Sequence, residues 1–397
     1  MAKLTLNDID VNGKKVVMRV DFNVPIKDGK IGDDNRIQKA LPSIRHVIKN
    51  NGLLILLSHL GRPKGKPDEE FSLKPVGEHL KTLVDTEVFF GSDCIGPEAQ
   101  KAVSQADYGQ IVLLENVRFH EGETKNDPDF SKQLASLGEV FVNDAFGSSH
   151  RAHSSVAGIT DYLQPAAAGY LLEREIDYLQ SSVQDPERPF VAIIGGAKVS
   201  DKIGVIENLI SKVDSIIIGG GMTYTFFKAM GLPVGNSLVE EDKVDLAGEL
   251  MKTAKNNNVN ILLPLDSVVA KEFNNDAENK VVPQDGIEDG WMALDIGPKS
   301  SELFGDEIRN AKTVIWNGPM GVFEMDNFAK GTFAIAGAMS TATENGAITI
   351  IGGGDSASAI KKAGLEENVS HVSTGGGASL EYLEGKVLPG IQVLTEK

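Results

Sequence analysis

The sequence predicts an α/β protein built from two doubly wound parallel-sheet domains. Short β-rich apolar runs alternate with amphipathic helical patterns along the whole chain. A length of 397 residues suits two domains better than one core. A long helical stripe also ends in the proline-containing link 184–189 (QDPERP) near the middle.

The first half carries strand runs at 16–22, 53–57, 111–114 and 140–142. The run 53–57 is apolar throughout, as a strand covered on both faces requires. Ile37, Leu41, Ile44 and Ile48 form one stripe of a helix after the first strand, with Asp33 or Asp34 to cap it and Gly52 beyond its end. Leu172, Ile176, Leu179 and Val183 trace the long helix before the link. The second half repeats the scheme with runs at 190–194, 215–218, 261–263, 313–316, 347–351 and 369–373. Ile203, Ile206, Ile210 and Val213 make a helical stripe after the first of these.

The net charge of −17 argues against a partner such as duplex nucleic acid or an anionic membrane, which would repel the chain. Cys94 is the single cysteine, so no internal disulfide forms and a reducing compartment is expected. The opening MAKLTLNDID lacks an apolar signal segment, and the apolar cluster 52–57 is far short of a membrane span. A cytoplasmic location is the expectation. Seven of nine Arg and six of seven His precede residue 185, whereas paired or tripled glycines recur after it. Halves equipped so differently are expected to hold different ligands.

Open parallel sheets bind ligands beyond the carboxyl ends of their strands. In the first half those ends deliver Asp21 and Asn23, then His59, Leu60, Gly61 and Arg62, then Arg118, then Arg151, with Arg36 at the mouth of the next helix. Guanidinium forks hold carboxylate and phosphate bidentately and keep their charge, so a small, multiply anionic ligand is expected. Any one arginine alone would read as a surface ion pair; Arg19, Arg45 and Arg174 are read as structural. His150 and His153 have a metal-like spacing but no third partner, so hydrogen-bonded histidines are the simpler reading. Cys94 reads as a small buried residue.

In the second half, GGAKVSDK (195–202) follows a strand and leads into a helix. Its glycines are expected to let backbone N–H groups approach phosphate. Lys198 and Lys202, four apart, would share one helical turn. GGGDS (352–356) repeats the strand–glycine–helix arrangement and adds Asp355, a carboxylate suited to Mg²⁺ beside phosphate. Glycines 375–377 offer another nest. The set points to a nucleoside polyphosphate, although a single such loop would read as a packing turn. No GxxxxGK[ST] or GxSxG string occurs. Gly352-x-Gly354-x-x-Ala357 fits a relaxed dinucleotide fingerprint, but Val372-Ser373-Thr374 lacks the acid that a ribose would need.

Ten strings, RVDFNVP (19–25), DDNRI (33–37), SHLGRP (58–63), LLENVRF (113–119), HRAHSS (150–155), GGAKVSDK (195–202), IIIGGGM (216–222), WNGPMGVFE (316–324), GGGDS (352–356) and STGGGASLEYLEGK (373–386), resemble those of phosphoglycerate kinases, in family order. The resemblance implies two Rossmann-like domains facing each other across a cleft and joined by a hinge. It implies reversible phosphoryl transfer between 1,3-bisphosphoglycerate and ADP, giving 3-phosphoglycerate and ATP, by a cytoplasmic monomer in glycolysis. By this resemblance, residues 1–185 would bind phosphoglycerate, joined by 381–397, and residues 186–380 would bind Mg-nucleotide. Asp21, Asn23, Arg36, His59, Leu60, Gly61, Arg62, Arg118 and Arg151 would contact phosphoglycerate. Lys198 and Lys202 would reach the nucleotide phosphates and the migrating group, to which Arg36 also belongs. Asn317, Gly353, Gly354 and Ser356 would line the phosphate region, Asp355 would hold Mg²⁺, and Glu324 the ribose. Gly195, Gly219, Gly220 and Leu294 would line the adenine slot.

Gly32, Ala293 and the pair Ser148-Ser149 depart from residues common in that family without removing a charge. Alternative readings are a nicotinamide-dependent dehydrogenase and a non-catalytic two-domain anion binder. The second leaves Lys198, Lys202 and Asp355 unused.

Overall fold

The computed structural model describes residues 2–397; Met1, the first residue of the expected first domain, and the side chain of Ser181 lie outside the described residues. The chain divides into two compact units, Met1–Asp177 with Val387–Lys397, and Tyr178–Lys386.

The first unit holds strands β1 (Lys15–Val20), β2 (Ile26–Lys27), β3 (Lys30–Ile31), β4 (Leu53–Leu57), β5 (Val88–Gly91), β6 (Ile111–Leu114), β7 (Val140–Asp144) and β8 (Ala166–Ala168). Six of them form a parallel sheet in the order β5-β6-β4-β1-β7-β8, while β2 and β3 make a small hairpin. The strand order reverses beside β1, where Arg19 pairs with Leu57 on one side and Asn143 on the other. Val16, Met18, Val20 and Phe22 share one buried cluster, as alternation along an extended strand dictates. The expected run 16–22 thus ends as a strand at Val20. Strands β5 and β8 were not expected; they are the sheet's two edges and are short.

Helix Asn35–Lys49 buries Ile37, Ala40, Leu41, Ser43, Ile44 and Val47, with Ile48 partly covered. Asp33 accepts the Asn35 N–H at 2.9 Å, whereas Asp34 turns its carboxylate to Gln38 and His79 instead.

The second unit holds β9 (Phe190–Ile194), β10 (Ser215–Ile218), β11 (Asn260–Leu262), β12 (Asp266–Ala270), β13 (Asn279–Pro283), β14 (Met292–Ile296), β15 (Thr313–Asn317), β16 (Ile348–Gly352) and β17 (His371–Val372). A second six-stranded parallel sheet runs β11-β10-β9-β15-β16-β17. Between residues 266 and 296 the chain adds a three-stranded antiparallel sheet, β13-β12-β14, which periodicity did not announce. Trp316 is fully buried on β15, with its indole N–H on the Gly318 carbonyl at 2.7 Å.

The units part inside helix Tyr170–Gln184, not at the proline link expected to end the first domain at 185. Tyr178 stacks on His371 of the second unit, ring centroids 4.6 Å apart, which carries the last part of the helix with that unit. Likewise 381–386 stays with the second unit, because Asn208 donates to the Leu383 carbonyl at 2.7 Å. The return to the first unit begins at Val387, where Gly390 and Thr395 bond to Ser149, Asn143 and Ala166. No helix among the described residues is long and apolar enough to cross a membrane.

Asp295, on β14, accepts N–H groups from Ile296 and Gly331, but burial pushes its carboxyl up to about 7. Between its ordinary value and that point, the folded chain holds a proton that the unfolded chain has released. Stability therefore falls as pH rises through this window. Asp295→Asn, which cannot ionise, is expected to gain on the wild type in urea midpoint between about pH 4 and about pH 8. An unchanging gap between the two would refute the shift.

Candidate active site

The centre of the first unit's site is Arg19, fully buried at the next-to-last position of β1. Its Nε donates to Ser155 Oγ at 2.8 Å, Nη1 to the Val20 carbonyl, and Nη2 to His59 Nδ1 at 3.0 Å. A guanidinium has only donors, so His59 Nδ1 must be the acceptor and its proton sits on Nε2. Burial, then the charges of Arg19, Arg118 and Arg36, hold the His59 imidazole well below its ordinary pKa. It is a neutral ring, and the 3.9 Å approach to Asp21 is no ion pair.

Asp21 instead pairs with Arg36 at 3.0 Å. Asn23 Oδ1 accepts the Gly61 N–H at 2.9 Å, and Arg118 Nη1 donates to the Gly61 carbonyl at 2.9 Å. Gly61 has φ +59°, and a Cβ there would stand 2.3 Å from the Phe71 ring, so no larger residue fits. The loop is pinned from behind by Asn116, fully buried, whose amide donates to the carbonyls of Leu60 and Phe71. Glu115 in turn accepts from Leu73, Asn116 and Ser72. Neither Glu115 nor Asn116 was chosen from the sequence, although both stand in the string that carries Arg118.

Arg62, Arg118 and Arg151 line one cavity of about 500 Å³, together with Lys64, Lys125 and His153. Burial and then the field of Arg19 bring the Arg118 guanidinium down to about 10, and its Nε is buried with no described acceptor. His153 is pushed to about 4, first by burial and then by Arg118, so it too is neutral. A pocket rich in cations with an orphaned guanidinium N–H has the chemistry of an anion site. Asp21, Asn23, Arg36 and His59 do not line this cavity; His59 is held by Arg19, Asn23 by Gly61, whose carbonyl also holds Arg118, and Asp21 pairs with Arg36.

In the second unit the glycines do something other than expected. A Cβ on Gly195 would lie 2.2 Å from the Pro319 carbonyl, and one on Gly220 would lie 2.5 Å from that of Gly196. The N–H groups of Gly195, Gly196, Gly219 and Gly220 already donate to the carbonyls of Asn317, Pro319, Ile194 and Met320. These four amides are spent on backbone packing, which corrects the expectation that the 195–196 turn offers N–H groups to phosphate. Nor do Lys198 and Lys202 share a helical turn: the helix begins at Ile203, and both lysines precede it. Lys198 is exposed.

Lys202 donates to Asn317 Oδ1. Burial depresses its ammonium, against the fields of Asp201, Asp355 and Glu384. Asn317 is buried, and its Nδ2 has no described acceptor. That nitrogen lies 3.4 Å from where a Gly353 Cβ would be, beside the start of helix Gly354–Lys362. The first N–H groups of this helix have no intrahelical acceptor, and its dipole favours an anion there. Ser356 Oγ accepts the Gly318 N–H at 2.6 Å and locks the 316–318 turn against the helix. Lys202, Asn317, Gly353, Gly354, Asp355 and Ser356 thus form one cluster.

Glu324 and Leu294 sit apart from that cluster in the contacts they make. Leu294 packs with Ala270 and Phe328, and its carbonyl accepts the Val322 N–H, which anchors the segment that carries exposed Glu324.

Asp355 is exposed in the first turn of its helix; a carboxylate beside phosphate oxygens and water is the oxygen-only donor set that Mg²⁺ takes. Elsewhere Asp93, Cys94 and His120 bring ligand atoms within 4.8 Å of one another. Asp93 and His120 are already hydrogen-bonded at 2.6 Å, and burial pushes the Cys94 thiol well up, so this trio is structural. His150 accepts from Arg151 Nε, and His153 lies beside Glu123, so the two histidines do not converge on a common point.

A family model described as phosphoglycerate kinase matches residues 6–386. Over 397 residues the chain is 58% identical to a phosphoglycerate kinase of Chlorobium phaeobacteroides and 59% identical to one of Chlorobaculum tepidum, with all of each chain covered. The solved phosphoglycerate kinase of Coxiella burnetii superposes with a TM-score of 0.89 at 40% identity, over 99% of this chain and 98% of that one. The phosphoglycerate kinase of Pyrococcus horikoshii gives 0.84 at 29% identity, over 98% of both. Full-length likeness in sequence and in backbone makes this chain a member of the phosphoglycerate kinase family.

Proposed function

We propose that the protein transfers a phosphoryl group reversibly between 1,3-bisphosphoglycerate and ADP in glycolysis, giving 3-phosphoglycerate and ATP. The arginine-lined cavity of the first unit takes the phosphoglycerate, and the Lys202–Asn317–Gly353 cluster of the second takes the nucleotide phosphates. The observation that carries this reading is the pair of buried orphan donors, Arg118 Nε and Asn317 Nδ2, one in each cluster. Neither has an acceptor among the described residues, and a buried donor of this kind is one that an anionic oxygen would satisfy. A monomer in the cytoplasm remains part of the proposal. Neither the dehydrogenase nor the non-catalytic binder gains support from the family.

The attacking group in either direction, a carboxylate or a phosphate oxygen, is ionised at neutral pH. No protein base is needed, and neutral His59, with Nδ1 taken by Arg19, has only its Nε2–H to offer. What the protein supplies is positioning and positive charge along the line of transfer. Arg36, held by Asp21, and Lys202, held by Asn317, are the cations assigned to the migrating group. Lys198, free of the helix, is left to follow the nucleotide phosphates. Asp355 would hold Mg²⁺, which when bound neutralises part of the polyphosphate charge.

ATP, 3-phosphoglycerate and Mg²⁺ together are expected to release ADP, and chelation of Mg²⁺ to abolish the release; turnover that survives chelation would remove Asp355 from its role. Arg36→Ala should lower turnover about 10²–10³-fold while Mg-ADP affinity stays unchanged. Loss of Mg-ADP binding in that variant would overturn the assignment of ligands to units. Lys202→Ala should depress turnover comparably, and a wild-type rate would exclude this lysine from the transfer.

A further inference from the structure

Glu123 is wholly buried, yet it stands in the short polar helix Glu121–Lys125, and nothing above gives it a task. Its two oxygens both face Ser155: Oε2 accepts the backbone N–H at 2.9 Å and Oε1 the hydroxyl at 2.6 Å. Ser155 has a single hydroxyl proton, and the carboxylate takes it. The hydroxyl oxygen is therefore left as acceptor for Arg19 Nε. Arg19 passes the same polarity on to His59 Nδ1. Four side chains thus form a chain of hydrogen bonds: the guanidinium donates at both of its contacts, and Glu123 and Ser155 hold it where its Nη2 meets His59 Nδ1.

Charge points the same way. Burial lowers the proton affinity of Arg19, burial and then the field of Arg19 lower that of Arg118, and the field of Glu123 opposes the loss on both. Burying the Arg19 guanidinium beside Arg118 without a counter-charge would cost far more than a hydrogen bond. Glu123 is wholly buried and is not among the residues that line the cavity, so it offsets the cations without presenting its carboxylate to an incoming anion.

We infer that Glu123 and Ser155 are positioning residues for phosphoglycerate binding: through Arg19 they fix His59 as the tautomer whose Nε2–H is free to meet the substrate. The inference rests on the assignment of His59 to phosphoglycerate, and the experiment separates the two. Long-range ¹H–¹⁵N NMR of the full chain with labelled histidine reads which ring nitrogen of His59 carries the proton. The wild type should show the Nε2–H form, and its signal should move on addition of 3-phosphoglycerate. Ser155→Ala and Glu123→Gln should mix the tautomers and raise KM for 3-phosphoglycerate by about 10- to 100-fold, the worth of a hydrogen bond to a charged group. KM for ATP should stay at its wild-type value. An Nδ1–H ring in the wild type overturns the relay whether or not the variants fold. So do folded variants with wild-type tautomer and KM. A relay that behaves as described, with a His59 signal deaf to 3-phosphoglycerate, upholds the positioning and overturns the ligand assignment.

Discussion

A strand covered by helices on both faces can present polar chemistry only at its ends, and there each polar group must be satisfied by something other than the sheet. Both units are organised around that constraint. In the first, the end of β1 carries a guanidinium that cannot shed its proton, and an entire shell of residues from distant parts of the chain is arranged to answer it. In the second, the ends of β9 and β15 are so close that only glycine fits between them, and their amides satisfy one another. Beside these, Arg118 Nε in the first unit and Asn317 Nδ2 in the second are buried with no acceptor among the described residues.

The sequence made the two-domain α/β plan legible because the central strands are unbroken apolar runs with glycine and polar residues at their ends. The edges were less legible. Strand β8 is three alanines, which on local preference alone favour a helix, and it is a strand because Phe141 to Asn143 pair with it. The antiparallel sheet β13-β12-β14 alternates weakly, with Val281 exposed and Asp295 buried, so neither face reads as a core. The cation set was legible as residue types at strand ends. Its supports were not: Glu123 reads as part of a solvated acidic helix until Ser155, 32 positions away, is folded against it. Arg19, read as structural, belongs to the site through His59, 40 positions off.

The glycine-rich turns show how one residue type serves two physical purposes. At Gly195 and Gly220 a missing side chain lets main chain meet main chain, and the N–H groups of 195–196 and 219–220 are already bonded to carbonyls. At 353–354 the space beside the glycines is open toward Asn317, and the helix that follows starts with unanswered N–H groups. Spacing alone cannot distinguish the two, because both put glycine between a strand and a helix. The difference lies in which strand end stands opposite, which is a matter of sheet order.

Residues 387–397 close the first unit, where Leu4, Asn143 and Ala166 bond to them. Synthesis proceeds from one end, so this last piece leaves the ribosome after all of 178–386. The edge of the first sheet at Ala166 must therefore wait, half-made, while its neighbour domain is translated in full.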